Sequence, residues 1–310
     1  MSVAALYTGW RRRTIYRRAL APRTRLVVLR YHSVGEPADV ARYADPGLSV
    51  TPARFREQVR LLASLFRVIS PDEVPRVLAE PSGNGRRAAM ITFDDGYRDN
   101  HDFALPILVA EGVPATFFVT TGPLHGEIFW TSELWRISRT IPDLSGQSRR
   151  EMTRVLSALP AAERDRELDR LAARARVPRG EGLAGTFMDS DHLRALHRAG
   201  MTVGAHTRSH PHLDRLPGEH AAAEVAGSRA DLEAVLGAPV RHFAYPNPGG
   251  GGPVCAGARA QAEQAGFLTA CTSIAGGAGA DSDPLRLPRL GVYAGDQERT
   301  LFAVLEQCGG

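Results

Sequence analysis

The sequence predicts an α/β fold in which parallel strands alternate with helices packed outside them. Three observations carry this. Short apolar runs such as Ala88–Phe93 (AAMITF) and residues 201–205 recur along the chain, bounded by turn residues. Between them lie stretches with apolar residues at helical spacing, as in Phe55, Val59, Leu62 and Phe66. Asp94, Asp95 and His206 follow directly on two of the runs, at the carboxyl ends of strands where α/β proteins gather their ligands. The pattern alone does not separate a closed barrel from an open sheet.

Taken in order, residues 25–31 read as the first strand, centred on Val27, Val28 and Leu29. A loop over 35–50 leads to Thr51-Pro52, an N-cap followed by proline at the first helical position, and the helix carrying Phe55 to Phe66 follows. Residues 67–69 form a short strand, and Ser70 with Glu73 makes a capping box for the next helix. Ala88–Phe93 is a buried strand. After the Asp94-Asp95 turn a helix runs to Gly112 with Phe103, Ile107 and Leu108 on its apolar face, and residues 115–120 are again a strand.

Residues 122–187 break the rhythm. They read as an insertion that contains Trp130 and Trp135 and then a charged helical stretch, 149–176. Its Val155, Leu156, Leu168 and Leu171 suit amphipathic helices packed over the rest of the fold. The two tryptophans either line a cleft or form the insertion's own core. Alternation then resumes with a helix from about Ser190 to Gly200, a strand over 201–205, a helix ending at Leu236-Gly237 and a strand over 242–245. The run 248–253 lacks the Lys-Ser/Thr of a phosphate loop and reads as a flexible active-site loop. A helix to Gly266, strands over 267–272 and 287–293, and a terminal helix complete the chain.

The chemistry concentrates at two of the strand ends. Neighbouring side chains diverge on a strand or tight turn, so Asp94 and Asp95 can divide the work, one holding a metal and the other acting on a water. His206 and His210 are four residues apart, on one side of a single turn, and can converge on one cation. One carboxylate and two imidazoles with open positions suit catalytic zinc, and also non-haem iron, cobalt or nickel; a structural zinc would close its shell. An Asp-Asp pair alone is usually a solvated turn, and two histidines four apart occur by chance. Their joint placement after strands is the signal.

These residues carry a family resemblance. Thr92-Phe93-Asp94-Asp95-Gly96 and His206-Thr207-Arg208-Ser209-His210 resemble the first and second motifs of the polysaccharide deacetylases, carbohydrate esterase family 4 with the NodB fold, and Phe243-Ala244-Tyr245-Pro246-Asn247 resembles a variant of the third. The resemblance runs from about Val27 to Val292. It implies a distorted (β/α)7 barrel and a metal-dependent hydrolase that removes an N-acetyl group from an N-acetylhexosamine of a glycan, glycolipid or glycoside. Carried over by residue, Asp95, His206 and His210 match the metal ligands, Asp94 the general base, and Tyr245 the position whose backbone N–H helps hold the oxyanion. The ion expected is divalent, zinc first, with Co²⁺ or Ni²⁺ as alternatives.

Two departures stand out. Ala244 occupies the place of an arginine that steadies the base in better-known members, and no late Leu-x-His supplies the usual general acid. The subgroup this chain resembles most, deacetylases of exported poly-N-acetylglucosamine, carries an early Tyr-His and a late Arg instead. Tyr31-His32 and Arg289 match these, making His32 the candidate acid and Arg289 the candidate partner of Asp94.

The chain has 310 residues, 43% of them apolar, enough for one large α/β domain or two smaller ones. The division expected is an Arg-rich arm, 1–24, and a catalytic domain, 25–310, holding the insertion. The 38 basic residues, all arginine, barely exceed the 34 acidic ones and are dispersed outside the arm, which argues against nucleic acid as a partner. The arm includes residues 10–13 and 16–18. It could rest on an anionic membrane surface or be a solvated tail. Its apolar run, 3–6, is too short for a signal peptide or a membrane span, so a cytoplasmic enzyme is expected. The three cysteines form no disulfide framework.

Other readings remain at this stage. The same fold could hydrolyse a non-sugar amide or cyclic imide, although such relatives alter the intact Thr92 to Gly96 string. A catalytically silent carbohydrate-binding module is a third. No Gly-x-Ser-x-Gly elbow supports a serine hydrolase.

Overall fold

The structure is a computed structural model, and it describes residues 14–21, 23–80, 86–144, 146–246, 254 and 256–308. Its strands are β1 (Leu26–Tyr31), β2 (Ser33–Val34), β3 (Ser49–Val50), β4 (Arg67–Val68), β5 (Ala88–Phe93), β6 (Thr116–Val119), β7 (Thr202–Ala205), β8 (His242–Ala244), β9 (Thr269–Cys271) and β10 (Leu290–Gly291). Eight of them form one sheet in the order β10-β1-β5-β6-β7-β8-β9, with β4 added on β5, and every pairing between them is parallel. The sheet curls until Leu287, just before β10, bridges in parallel to Cys271 of β9. That makes the distorted seven-stranded barrel the motifs implied.

Parity along the strands sorts side chains into two cores. Val27, Leu29 and Tyr31 of β1, with Ala89, Ile91 and Phe93 of β5 and Phe117 of β6, face the surrounding helices. Leu26, Val28, Ala88, Met90, Phe118, Ala244 and Cys271 face the interior, joined by Ile69, Val74, Val77 and Leu78 from the capping-box segment. Space there is tight: a Cβ on Gly204 would fall 2.6 Å from the Phe118 ring and 2.9 Å from the His242 carbonyl oxygen, so β7 approaches its neighbours as only glycine allows. The two expected helix starts are present. Thr51 Oγ1 accepts from Arg54 N at the head of Pro52–Leu65, and Ser70 and Glu73 cap each other's ends.

Three local expectations are corrected. Residues Asn100–Ala104 form a π-helical turn before the helix Leu105–Glu111. Its wider step rotates the apolar face, so Phe103 is 47% exposed while Ala104, Ile107 and Leu108 are buried. The insertion's helices, Trp130–Ser138, Gln147–Leu156 and Ala161–Ala175, bury Trp130, Leu134, Ile137, Leu156, Leu168 and Leu171 against one another; Val155 lies outside this cluster and is exposed. Residues 14–19 are helical, and Tyr16, Ala19 and Leu20 pack into the larger core, so this part of the arm is folded onto the barrel rather than solvated.

Residues 1–13 of the arm and the glycine run 248–253 lie outside the described residues. No described helix is long and apolar enough to cross a membrane.

Candidate active site

Parallel register sets the strand ends level. Tyr31 pairs with Phe93 and Val119 with Ala205, so His32, Asp94-Asp95 and His206 all emerge at one rim. Asp94 continues the inward series Met90, Thr92 of β5, as His32 continues Val28, Arg30 of β1.

The turns beyond the strands are strained. Among the described residues, four other than glycine have positive φ, and three of them are here: Asp95 at 76°, Thr207 at 65° and His210 at 55°. Such backbone costs on the order of 1–3 kcal/mol per residue and persists where its surroundings over-determine it. Here Thr207 Oγ1 accepts from His210 N (3.0 Å), and Glu224 accepts from both Arg208 N (2.9 Å) and Ser209 N (2.8 Å). The Arg208 guanidinium grips Asp231 at 2.8 and 2.7 Å, and Trp130 Nε1 donates to the His210 carbonyl at 3.1 Å.

The strained turns aim three groups at one point. Nε2 of His206 lies 3.6 Å and Nε2 of His210 3.3 Å from Asp95 Oδ1, all three residues buried. His206 Nδ1 donates to the Ala244 carbonyl at 2.7 Å, which fixes the tautomer and leaves a lone pair on Nε2. That nitrogen and a carboxylate oxygen therefore face each other as acceptors. A divalent cation is the partner that reconciles them, and the residues present fit one. The protonation states agree. Burial, partly offset by Asp94, lowers His206 to about 4, so it is neutral at neutral pH. Burial opposes ionisation of Asp95, but its hydrogen bond with His210 and the charges around it hold it below the usual carboxylate range.

Arg289 is brought to Asp94. The pairing is bidentate, Nη1 to Oδ1 at 2.6 Å and Nη2 to Oδ2 at 2.8 Å, with both groups buried. Its Nε donates to the Thr272 carbonyl (2.8 Å) and Nη1 also to Thr92 Oγ1 (3.2 Å), so the guanidinium is held from inside the barrel. Burial works against the Asp94 anion, yet Arg289 and then His206 keep it well below the ordinary range.

His32 lines the same cleft, with Nδ1 buried and unpartnered. Asn100 Nδ2 donates to its carbonyl (2.8 Å). Next to Asn100, Asp99 accepts from Val34 N (3.2 Å) and from the hydroxyls of Ser33 and Tyr43, latching the His32 segment to the π-helical turn. Burial lowers His32 to about 4. Because the folded state then takes up its proton later than the unfolded chain, stability is retained above pH ~6.5 and lost as pH falls toward 4. We expect metal-free protein to lose more melting temperature between pH 7 and pH 4.5 than its His32→Gln variant does; equal losses would contradict the burial of a neutral His32.

Tyr245 is tied to the neighbouring strand. Its backbone N–H donates to the Cys271 carbonyl (3.0 Å) in the β8–β9 ladder and its hydroxyl to the Leu285 carbonyl (2.9 Å), and its side chain lies outside the cleft. In this arrangement the N–H is engaged by the sheet bond.

The cleft has a volume of about 250 Å³. The insertion builds one wall, where Arg149 stacks over Trp135 (4.2 Å) and pairs with Asp45 (2.9 Å). The two tryptophans thus divide the roles left open by the sequence, Trp135 lining the cleft and Trp130 filling the insertion's core. Sequence reasoning missed Arg30, Asp45, Tyr97, Arg149, Glu224 and Asp231, and only strand parity, for Arg30, carried any signal.

Fold and site together define a parallel-barrel hydrolase with its reactive groups at the strand carboxyl ends. The family model for polysaccharide deacetylases matches residues 82–269, and the chain belongs to that family. YxkH of Bacillus subtilis is 29% identical over 96 residues, a match spanning 31% of this chain and 32% of that protein. Streptococcus pyogenes deacetylase PplD superposes with TM-score 0.64 at 19% identity, over 92% of this chain and 98% of its own. IcaB from Ammonifex degensii gives 0.60 at 20%, over 91% and 97%. At these identities the structures attest the fold.

Proposed function

We propose that this chain is a divalent-metal-dependent hydrolase that removes the N-acetyl group from an N-acetylhexosamine unit of a glycan, glycolipid or glycoside. The observation that carries this reading is the buried, converging set Asp95, His206 and His210, beside a carboxylate that Arg289 keeps ionised. Zinc suits the donors, and cobalt or nickel would also fit. Such an ion would polarise the amide carbonyl and acidify a water.

The protein's own groups do the rest. Asp94 is positioned to take the water's proton. Arg289 fixes both of its oxygens and prevents it from swinging onto the metal ligands. His32, neutral at rest with an uncommitted Nδ1, can accept a proton on one nitrogen while giving one from the other, and so relay a proton to the departing amine. At about 250 Å³ the cleft is at the small end of ligand pockets, which suits one sugar unit at a time.

The test is acetate release from a panel of N-acetylhexosamine substrates by chelator-stripped protein, with and without added Zn²⁺ or Co²⁺. Metal-dependent acetate is expected, and Asp95→Ala, His206→Ala and His210→Ala should each lose both the bound ion and turnover. A folded, metal-loaded protein that releases no acetate would overturn the reading.

A further inference from the structure

Arg30 is the cleft charge without an opposite. It lies on β1 two residues before His32, facing the interior, and lines the cleft with His32, Asp95, Ser273 and Tyr293. Its Nη groups donate to two neutral hydroxyls, Ser273 Oγ and Tyr293 Oη. Its Nε is buried and unpartnered, and among the described residues no carboxylate is paired with it. Every other guanidinium at the site has its acid: Arg289 holds Asp94 and Arg149 holds Asp45. Asp95 belongs to the cation set. Three arginines against three aspartates leave the empty site neutral, so a divalent ion gives the cleft two positive charges in excess.

The guanidinium also lies over the Tyr293 ring (5.8 Å), but a half-buried cation with only an aromatic face and two neutral hydroxyls for partners lacks a counter-charge. Its planar fork is shaped for two oxygens of one anion. Ser273 and Tyr293 fix that guanidinium on the wall of the cleft, where a group attached to a sugar bound there would meet it.

We propose that Arg30 reads an anionic group on the N-acetylhexosamine, a phosphate or a carboxylate, so that the preferred substrate is a charged sugar rather than a neutral one. This rests on the deacetylase reading and names its substrate class. Trp135, with Arg149 stacked over its ring (4.2 Å) and paired with Asp45, lines the same cleft.

Calorimetry on the zinc-loaded protein tests the inference with three probes: N-acetylglucosamine 1-phosphate, N-acetylmuramic acid and methyl N-acetylglucosaminide. At least one anionic probe should bind about tenfold more tightly than the neutral glycoside, the scale of one charge-assisted hydrogen bond, and the two anionic arms distinguish phosphate from carboxylate. Arg30→Gln should bring the preferred anion down to the neutral level, and Arg30→Lys, which keeps the charge but loses the fork, should fall between. Equal binding of all three probes overturns the inference, and so does a preference that survives Arg30→Gln, which would place the anion on the metal instead. Acetate release from the same mixtures is read separately. Its absence would count against the deacetylase reading, while the ranking of affinities still decides the role of Arg30.

Discussion

Asp94→Asn should release acetate about 10³-fold more slowly than the parent, within the ~10²–10⁴ range that a positioned proton acceptor contributes, while binding the same amount of metal. The geometry separates the two adjacent carboxylates. Asp94 ends the inward series of β5 and is clamped by Arg289, whereas Asp95 sits in a left-handed turn and faces His206 and His210. Replacing one oxygen of Asp94 by NH₂ removes the proposed proton acceptor and leaves Asp95, His206 and His210, the proposed metal ligands, untouched. Metal content per chain, measured beside the acetate rate, distinguishes this from Asp95→Ala, which should lose both. Appreciable turnover by Asp94→Asn would remove the base assignment and shift attention to His32.

The parts of this site that were legible in sequence are those fixed by local geometry. The short run Ala88–Phe93, bounded by turn residues, reads as a buried strand with Asp94 directly after it, and two histidines four apart can share one side of a turn. Arg289 became visible through resemblance to a subgroup, since nothing local ties a residue 195 positions away to Asp94. What could not be read depended on neighbours. Tyr245 loses its N–H to Cys271 on the adjacent strand, a bond no motif announces. Phe103 turned outward because one wide helical turn breaks the 3.6-residue period that placed it. Trp130 and Trp135 share a helix but stand five residues apart, roughly 140° around its axis, so one fills the insertion while the other meets the cleft. Arg30 is inward only because strand parity and barrel closure make it so, and the closure was not readable from pattern.

Arg289→Met should be among the most damaging single changes. It removes the partner of a carboxylate that is itself buried, and breaking such a pair costs about 3–5 kcal/mol, because the remaining charge has neither water nor counter-ion. In a chain of this size that corresponds to a fall in melting temperature of roughly 10 °C. Turnover should collapse with it, since Asp94 would take up a proton, or move, once the fork that fixes both its oxygens is gone. Stability and catalysis can be separated by the double variant Asp94→Asn with Arg289→Met. If the ion pair acts mainly by mutual compensation, the neutral pair should regain much of the melting temperature lost by Arg289→Met, yet remain as slow as Asp94→Asn alone. A double variant no more stable than Arg289→Met would instead assign the arginine's contribution to its bonds with Thr272 and Thr92. The buried charge is then a cost the fold bears to keep a desolvated carboxylate ionised beside the proposed metal site, in a chain whose third motif carries Ala244 and so supplies no arginine of its own.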